Sequence, residues 1–125
     1  MSNPSRAEVA KQFLTLAASG RAREAFERYA SPTFRHHNAW FPGDGQSLVK
    51  AMDENAKENP EKELTIHRVV ESGNQVATFS EVHHSKGDAG AAVVHFFRFE
   101  GDRIAELWDV GQEVPADSPN ENGMF

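Results

Sequence analysis

Apolar residues recur at helical spacing in the first half of the chain. Four of them follow the capping-box sequence Ser5-Arg6-Ala7-Glu8, which predicts a first helix that Gly20 ends. The four apolar residues are Val9, Phe13, Leu16 and Ala17. The same spacing predicts a second helix over about 21–30 and a third over about 46–59. The intervening segment, from about 31 to 45, is interpreted as a loop.

The second half of the chain alternates apolar and polar residues with a period of two, which is typical of strands. Turn sequences divide this half into four predicted strands, over 64–71, 75–84, 91–100 and 103–111. After Gln112 the chain becomes polar, and residues 113–125 are interpreted as an irregular tail. Three helices followed by a β meander predict an α+β fold, with the helices on one face of an antiparallel sheet.

The two faces of the third predicted strand are both largely apolar. Its residues alternate between the set Val93, His95, Phe97 and Phe99 and the set Val94, Phe96 and Arg98. An antiparallel sheet with two apolar faces needs a cover on each face. The helices supply one cover, and a second copy of the chain is predicted to supply the other, which gives a homodimer through the sheet.

Composition narrows the class of protein. A chain of 125 residues is expected to form one domain, 1–125, and the absence of cysteine excludes disulfides and thiolate chemistry. The net charge of −6 disfavours nucleic acid as a partner. No apolar run is long enough to span a membrane, and the start, Met1-Ser2-Asn3-Pro4-Ser5-Arg6, has no signal-peptide pattern. The expected location is therefore cytoplasmic.

Three sequence stretches carry a family resemblance. They are Phe34-Arg35-His36-His37-Asn38-Ala39-Trp40-Phe41-Pro42-Gly43-Asp44-Gly45, then Val93-Val94-His95-Phe96-Phe97-Arg98-Phe99-Glu100-Gly101-Asp102-Arg103-Ile104-Ala105-Glu106, then Leu107-Trp108-Asp109-Val110-Gly111-Gln112. With the helical start, they resemble the SnoaL-like, polyketide-cyclase-type group of the nuclear-transport-factor-2-like superfamily. The resemblance implies a cone-shaped, curved sheet packed against three N-terminal helices. Ala39 and His95 depart from the group, which often has proline and an acidic residue at these positions.

Asp109 is the main catalytic candidate. It lies in an otherwise apolar strand, where a carboxylate loses hydration and becomes a better base near neutral pH. In SnoaL-like cyclases an aspartate late in the chain is the acid/base of an intramolecular aldol closure, and Asp109 resembles it. The alternative is a structural carboxylate that accepts hydrogen bonds from loop amides or from a histidine.

His37 and Asn38 form the second candidate pair. A histidine on a loop that faces a cavity can orient a carbonyl or carry a proton, so His37 is a catalytic candidate and Asn38 a substrate-binding one. The alternative is a histidine that only organises the loop. The neighbouring His36 is expected to point the other way, at the surface or in an interface.

Further binding candidates come from histidines and aromatic residues. The predicted substrate-binding set adds His83, His95, Trp40, Phe97 and Trp108. In the first predicted strand, the period of two places His67 and Val69 on one face. Trp40 with Phe41 suggests a pocket rim or a subunit contact, and the final Met124-Phe125 suggests a lid or a subunit contact.

These observations leave three functional interpretations. The first is a cofactor-free acid/base enzyme, namely an isomerase, dehydratase or aldol-type cyclase, that uses Asp109 on a small apolar or aromatic carbonyl compound. The second is a non-catalytic module of the same fold that binds a hydrophobic ligand or a partner. The third, a metal enzyme with ligands from His37, His83, His95 and Asp109, lacks a compact metal-binding motif, so no metal site is predicted.

Overall fold

Three helices and five strands are formed by residues 4–125, which are the residues that the computed structural model describes. The order is α1 (Arg6–Ala18), α2 (Ala22–Tyr29), β1 (Ala30–His36), α3 (Gly45–Glu58), β2 (Glu63–Ser72), β3 (Gln75–His83), β4 (Ala91–Glu100) and β5 (Arg103–Glu113). The signal-peptide expectation rests partly on residues 1–3, which lie outside this range. Within it, no helix has the length and apolar character needed to cross a membrane.

Polar side chains begin two of the helices. Ser5 Oγ accepts a hydrogen bond from the Glu8 N–H at 3.1 Å, which confirms Ser5 as the cap of α1. Asp44 Oδ2 accepts from the Ser47 N–H at 2.8 Å and begins α3 in the same way. Gly20 follows α1 with a φ of +85°, a conformation that glycine adopts without steric cost. The predicted positions of all three helices are confirmed to within one or two residues.

Strand β1 was not predicted from the sequence. It runs parallel to β5, with Arg35 opposite Glu106 and His36 opposite Leu107. The sheet order is β1-β5-β4-β3-β2, so β1 is an edge strand. An edge strand tolerates Pro32, which removes a backbone donor and made the segment resemble a loop. The four predicted strands form the remaining, antiparallel part of the sheet.

The sheet has an inner face, which packs against the helices, and an outer face on the opposite side. On β4 the inner residues include His95 and Phe97, and the outer residues include Val94 and Phe96. The core cluster joins α1 to the inner face, with Phe13 on the helix packed 6.1 Å from Phe97, measured between ring centroids. Both aromatic residues are completely buried.

A β-bulge in β2 reverses one facing prediction. The register shifts between Ile66, opposite Ser80, and Arg68, opposite Phe79. Val69 therefore packs against the core, whereas His67 lies on the outer face, where its Nε2 meets Glu81 at 2.9 Å. The prediction that His67 and Val69 share a face is wrong, because a bulge adds one residue to the period of two.

Replacing Phe13 by alanine tests the packing of α1 against the sheet. Phe13 also contacts Phe26, at 5.1 Å between ring centroids, so the Phe13→Ala variant should lose about 3–5 kcal/mol of unfolding free energy. Trp40→Ala is the matched control, since Trp40 is 87% exposed and its loss should change stability by less than about 0.5 kcal/mol. Urea denaturation followed by circular dichroism measures both. Equal effects would contradict this description of the core.

Candidate functional site

A cavity lies between the inner face of the sheet and helices α1 and α3. Its volume is about 280 Å³, close to the lower end of the roughly 300–1,000 Å³ of ligand pockets. Most of the lining is apolar: Leu14, Ala17, Ala18, Phe41, Leu48, Ala51, Met52, Leu64, Val82 and Val93. The polar lining residues are Asn38, Asn55, Lys62, His84, His95 and Asp109. A mostly apolar cavity with a few polar groups is typical of a small-molecule site.

Three polar residues meet at the β1–β5–β4 side of this cavity. Asp109 on β5 is directly opposite His95 on β4 in the antiparallel register. Asn38 Nδ2 donates a hydrogen bond to Asp109 Oδ2 at 2.9 Å, and Asn38 Oδ1 accepts from the Trp40 N–H at 3.0 Å. The second bond fixes the orientation of the Asn38 amide, so one oxygen of Asp109 is held and the other is left for a ligand.

His36 organises the segment that carries Asn38. Its Nε2 donates to the Pro42 carbonyl at 2.6 Å, and its Nδ1 accepts from the Asn38 N–H at 3.0 Å. These two partners require the neutral tautomer with the proton on Nε2. His36 is only 5% exposed, so its expected position at the surface or in an interface is wrong. His36 is the last residue of β1, and its ring points inward to the Pro42 carbonyl and the Asn38 N–H of the loop that follows.

His95 is neutral at neutral pH. It is 8% exposed, and burial lowers its pKa to about 4, although the nearby Asp109 carboxylate favours the protonated ring. The Lys62 charge acts in the same direction as burial. A neutral imidazole in this place can donate or accept a hydrogen bond without carrying a charge.

Three buried polar atoms have no hydrogen-bond partner within residues 4–125. They are His95 Nδ1, Thr78 Oγ1 and Ser80 Oγ. Thr78 is directly opposite His95, and Ser80 is opposite Val93, so the three atoms lie on neighbouring strands beneath the cavity. Unpaired buried polar atoms are costly to stability, which favours a functional explanation for this part of the inner face. With Nδ1 buried, Nε2 is the ring nitrogen of His95 left for a ligand.

His37 and Trp108 lie on the outer face, away from the cavity. Their rings stack at 4.8 Å between centroids with an interplanar angle of 8°. His37 Nε2 meets Glu106 Oε2 at 2.5 Å, and Arg35 and Arg98 bind the same carboxylate. Hydrogen bonds from Arg35, His37 and Arg98 lower the pKa of Glu106 to about 2. This arrangement agrees with the second interpretation of His37, in which the histidine organises the loop and does not contact a substrate.

The other predicted binding residues are also outside the cavity lining. Trp40 is 87% exposed, although the adjacent Phe41 lines the cavity. Phe97 is completely buried in the core. His83 is on the outer face, where its Nε2 lies 2.6 Å from the Glu81 carboxylate. This hydrogen bond raises the pKa of His83. Of the predicted site residues, the structure brings together Asn38, His95 and Asp109.

Sequence analysis missed Lys62 and Asn55. Lys62 lies in the run Glu61-Lys62-Glu63 just after α3, a pattern typical of a solvated turn. Asn55 occupies a polar position of α3 and carried no motif. The one signal in the sequence was the position of Lys62 between the third predicted helix and the first predicted strand, from which a long side chain can reach inward.

The four residues that a metal enzyme would use as ligands lie on different faces of the sheet. His95 and Asp109 face the cavity, whereas His37 and His83 face outward. These four side chains therefore do not converge on one ion. In the part of the chain that is described, no three histidine, cysteine or acidic side chains form a cluster suited to a metal.

Comparison with known proteins identifies the family. The model of the SnoaL-like domain matches residues 10–107, and the chain belongs to this family. No curated protein matches the sequence. IdmH of Streptomyces antibioticus, a proposed polyketide cyclase, is 16% identical over 87% of this chain and 93% of its own, with a TM-score of 0.72.

Two other solved structures have the same architecture. A proposed SnoaL-like polyketide cyclase of Jannaschia sp. CCS1 is 11% identical over 90% of this chain and 92% of its own, with a TM-score of 0.72. An NTF2-like protein of unknown function from Cytophaga hutchinsonii ATCC 33406 is 13% identical over 89% and 93%, with a TM-score of 0.71. These likenesses establish the fold, which is the α+β fold of NTF2-like proteins, as the sequence predicted.

Because His95 is buried in its neutral form, the stability of the fold is expected to decrease in acid. The pKa of His95 falls from its ordinary 6.5 to about 4 on folding, so between these pH values the unfolded chain binds the extra proton. The unfolding free energy should therefore fall as the pH falls from 6.5, and His95 should add no pH dependence above it. At pH 5 the loss should be about 2 kcal/mol relative to pH 7.

The His95→Gln variant provides the comparison. Urea titrations of both proteins at pH 7 and pH 5 measure the loss, and the variant should lose about 2 kcal/mol less than the parent. Other groups that titrate in this range are common to both proteins and cancel in the difference. An equal loss in both would show that His95 is not held neutral by the fold.

Proposed function

We propose that this protein is an acid/base enzyme that moves a proton on the carbon next to a carbonyl group of a small, mostly apolar compound. Isomerisation, dehydration and aldol-type closure all begin with this step. The observation that carries the proposal is the Asp109 carboxylate, held by Asn38 and opposite His95, in a mostly apolar cavity. The proposed polyketide cyclase activity of IdmH is consistent with this class of reaction.

In the proposed step, the free oxygen of Asp109 removes a proton from the carbon next to the carbonyl. The C–H bond breaks, its electron pair forms a carbon–carbon double bond, and the carbonyl oxygen takes up negative charge. His95 Nε2 donates a hydrogen bond to that oxygen, which stabilises the enolate. Asp109 then returns the proton to carbon, or the enolate carbon attacks a second carbonyl of the same molecule and Asp109 gives the proton to the alkoxide that forms.

The residues around Asp109 suit this role. The Asn38 amide holds one carboxylate oxygen at 2.9 Å and positions the other. Apolar residues such as Met52, Leu48 and Val93 exclude water from the reacting atoms, which strengthens electrostatic interactions within the site. The volume of about 280 Å³ favours single-ring or short-chain carbonyl compounds over polycyclic ones.

Deuterium exchange tests the role of Asp109. The protein should accelerate the exchange of protons next to the carbonyl of single-ring aryl ketones in D₂O, as measured by proton NMR. Asp109→Asn keeps the shape but removes the base, so the enzymatic exchange rate should fall by about 10²–10⁴-fold. Asp102→Asn, in the exposed turn between β4 and β5, is the matched control and should keep the parent rate. Unchanged exchange in Asp109→Asn would overturn the proposal.

The second candidate is a non-catalytic module that holds a hydrophobic ligand in the same cavity. The cavity favours it as much as it favours catalysis, because a mostly apolar cavity with a few polar groups suits a bound ligand whether or not the ligand reacts. In this case ketones should raise the melting temperature of the protein without any exchange of their protons. The same NMR samples distinguish the two functions.

The outer face supports a proposed homodimer. Val94 and Val110 are 41% and 71% exposed, and they adjoin Phe96 and Trp108 across β4 and β5. No helix covers this face in residues 4–125, and the Phe125 ring packs against Phe79 and His67. Arg35 and Arg98 are paired with Glu106, so their charges are partly compensated within the chain. The predicted occupant is a second copy of the chain.

Light scattering after size exclusion tests the dimer. The parent has a chain mass of 13.9 kDa and should elute at twice this mass at low micromolar concentration. Val110→Glu places a charge on the outer face and should shift the protein to the monomer. Glu121→Gln in the C-terminal tail is the control and should leave the dimer intact. A parent protein that is monomeric throughout would refute this interface.

A further inference from the structure

Lys62 is a cation at the cavity that the proposed proton transfer does not use. It lies one residue before β2, and its Nζ donates to Asn55 Oδ1 at 2.8 Å. None of the ion pairs among residues 4–125 includes it. Partial burial lowers the pKa of Lys62, as expected for an ammonium that has lost part of its hydration. Within the described range its side-chain partner is therefore a neutral amide.

The charges that line the cavity are unevenly placed. Asp109 is the one carboxylate of the lining, and it lies on β5, whereas Lys62 lies at the start of β2. Strands β4 and β3 lie between them in the sheet, and both residues line the same cavity. The Lys62 charge disfavours the protonated form of His95, which lies next to Asp109. The base and the cation thus lie on opposite sides of the space left for a ligand.

A basic groove leads to Lys62 from the surface. The groove has a volume of about 610 Å³ and lies between the end of α1 and the last turns of α3. Its charged lining residues are Arg21, Arg23, Asp53, Lys57 and Lys62. Arg21 is paired with Glu24, and the remaining three cations against one carboxylate are unusual in a chain with a net charge of −6. Lys62 and Ala18 line both the groove and the cavity, so the two adjoin at these residues and the basic groove raises the local concentration of anions beside Lys62.

We propose that Lys62 is an anion-binding residue and that the ligand is a carbonyl compound with a carboxylate at its far end. The carboxylate binds the Lys62 ammonium, while the carbonyl lies between Asp109 and His95. This inference rests on the proposed function for the position of the carbonyl. It goes beyond it by naming the substrate class: a small keto acid whose two functional groups are separated by about one ring.

The physical reason is the pairing of a poorly hydrated cation. A hydrogen bond between an ammonium and a carboxylate is stronger than one between neutral groups, and exclusion of water increases the difference. An uncharged ketone of the same shape leaves the ammonium with its single amide partner. The cavity should therefore prefer the acid to its neutral analogue.

A pair of matched probes tests this preference. The acid 4-acetylbenzoate carries its ketone and its carboxylate on opposite sides of one ring, and in 4-methylacetophenone a methyl group replaces the carboxylate. Isothermal titration at pH 7 gives the dissociation constant of each. The parent protein should bind the acid roughly ten- to a hundredfold more tightly than the neutral ketone.

Three variants test whether the carboxylate of the probe binds at Lys62. Lys62→Gln should weaken binding of 4-acetylbenzoate by roughly ten- to a hundredfold and change binding of 4-methylacetophenone by less than about twofold. Lys62→Arg keeps the charge and should retain most of the preference for the acid. Lys57→Gln removes a cation that lines the groove but not the cavity, and it should leave both dissociation constants within about twofold. Thermal melts confirm that each variant is folded.

Each outcome separates this inference from the proposed function. Equal affinity of the parent for the two probes, or no detectable binding of the acid at millimolar concentration, overturns the role of Lys62. Equal weakening by Lys57→Gln and Lys62→Gln also overturns it, because the anion would then lie in the groove. Deuterium exchange of 4-methylacetophenone that depends on Asp109 supports the proposed function in every one of these cases. Loss of acid preference in Lys62→Gln supports the anion site even where Asp109→Asn leaves exchange unchanged.

Discussion

The parallel pairing of β1 with β5 is the constraint on which the candidate site depends. Backbone pairing of Arg35 and His36 with β5 continues as the His37 N–H donates to the Leu107 carbonyl at 2.9 Å. This bond sets the position of the next residue, Asn38, whose amide then reaches Asp109 two residues further along β5. Without the edge strand, the carboxylate would have no partner on that side. A single stretch of backbone pairing thus brings together groups that are 71 residues apart in the sequence.

The two faces of the sheet use polar residues in different ways. On the outer face the Glu106 carboxylate is surrounded by Arg35, His37 and Arg98, so its charge is compensated within the chain. On the inner face the polar atoms are left with few partners, and the half-buried Lys62 has only an amide. Compensated charges contribute to structure, whereas uncompensated groups around a cavity are available to a ligand. This contrast, rather than the number of histidines, distinguishes the site from its surroundings.

Local sequence patterns predicted much of this arrangement. The capping residue Ser5, the three helices and the four antiparallel strands were readable because each depends on neighbours within a few positions. The alternation along β4 placed His95 with Val93, Phe97 and Phe99, and in the structure this set faces the helices. The motif around Asp109 led to the family and to the residue that lies at the cavity with Asn38.

The sequence by itself determined the helices, the meander and the two alternating sets of residues along β4, because these follow from periodicity and short-range capping. Only the tertiary structure decided that His37 stacks on Trp108 outside the cavity, since the face of a residue after an edge strand depends on long-range pairing. It also decided the facing of His67, which a bulge reversed. Lys62 was placed at the cavity by the same kind of long-range contact, because a solvated turn and an inward-reaching lysine have the same local sequence.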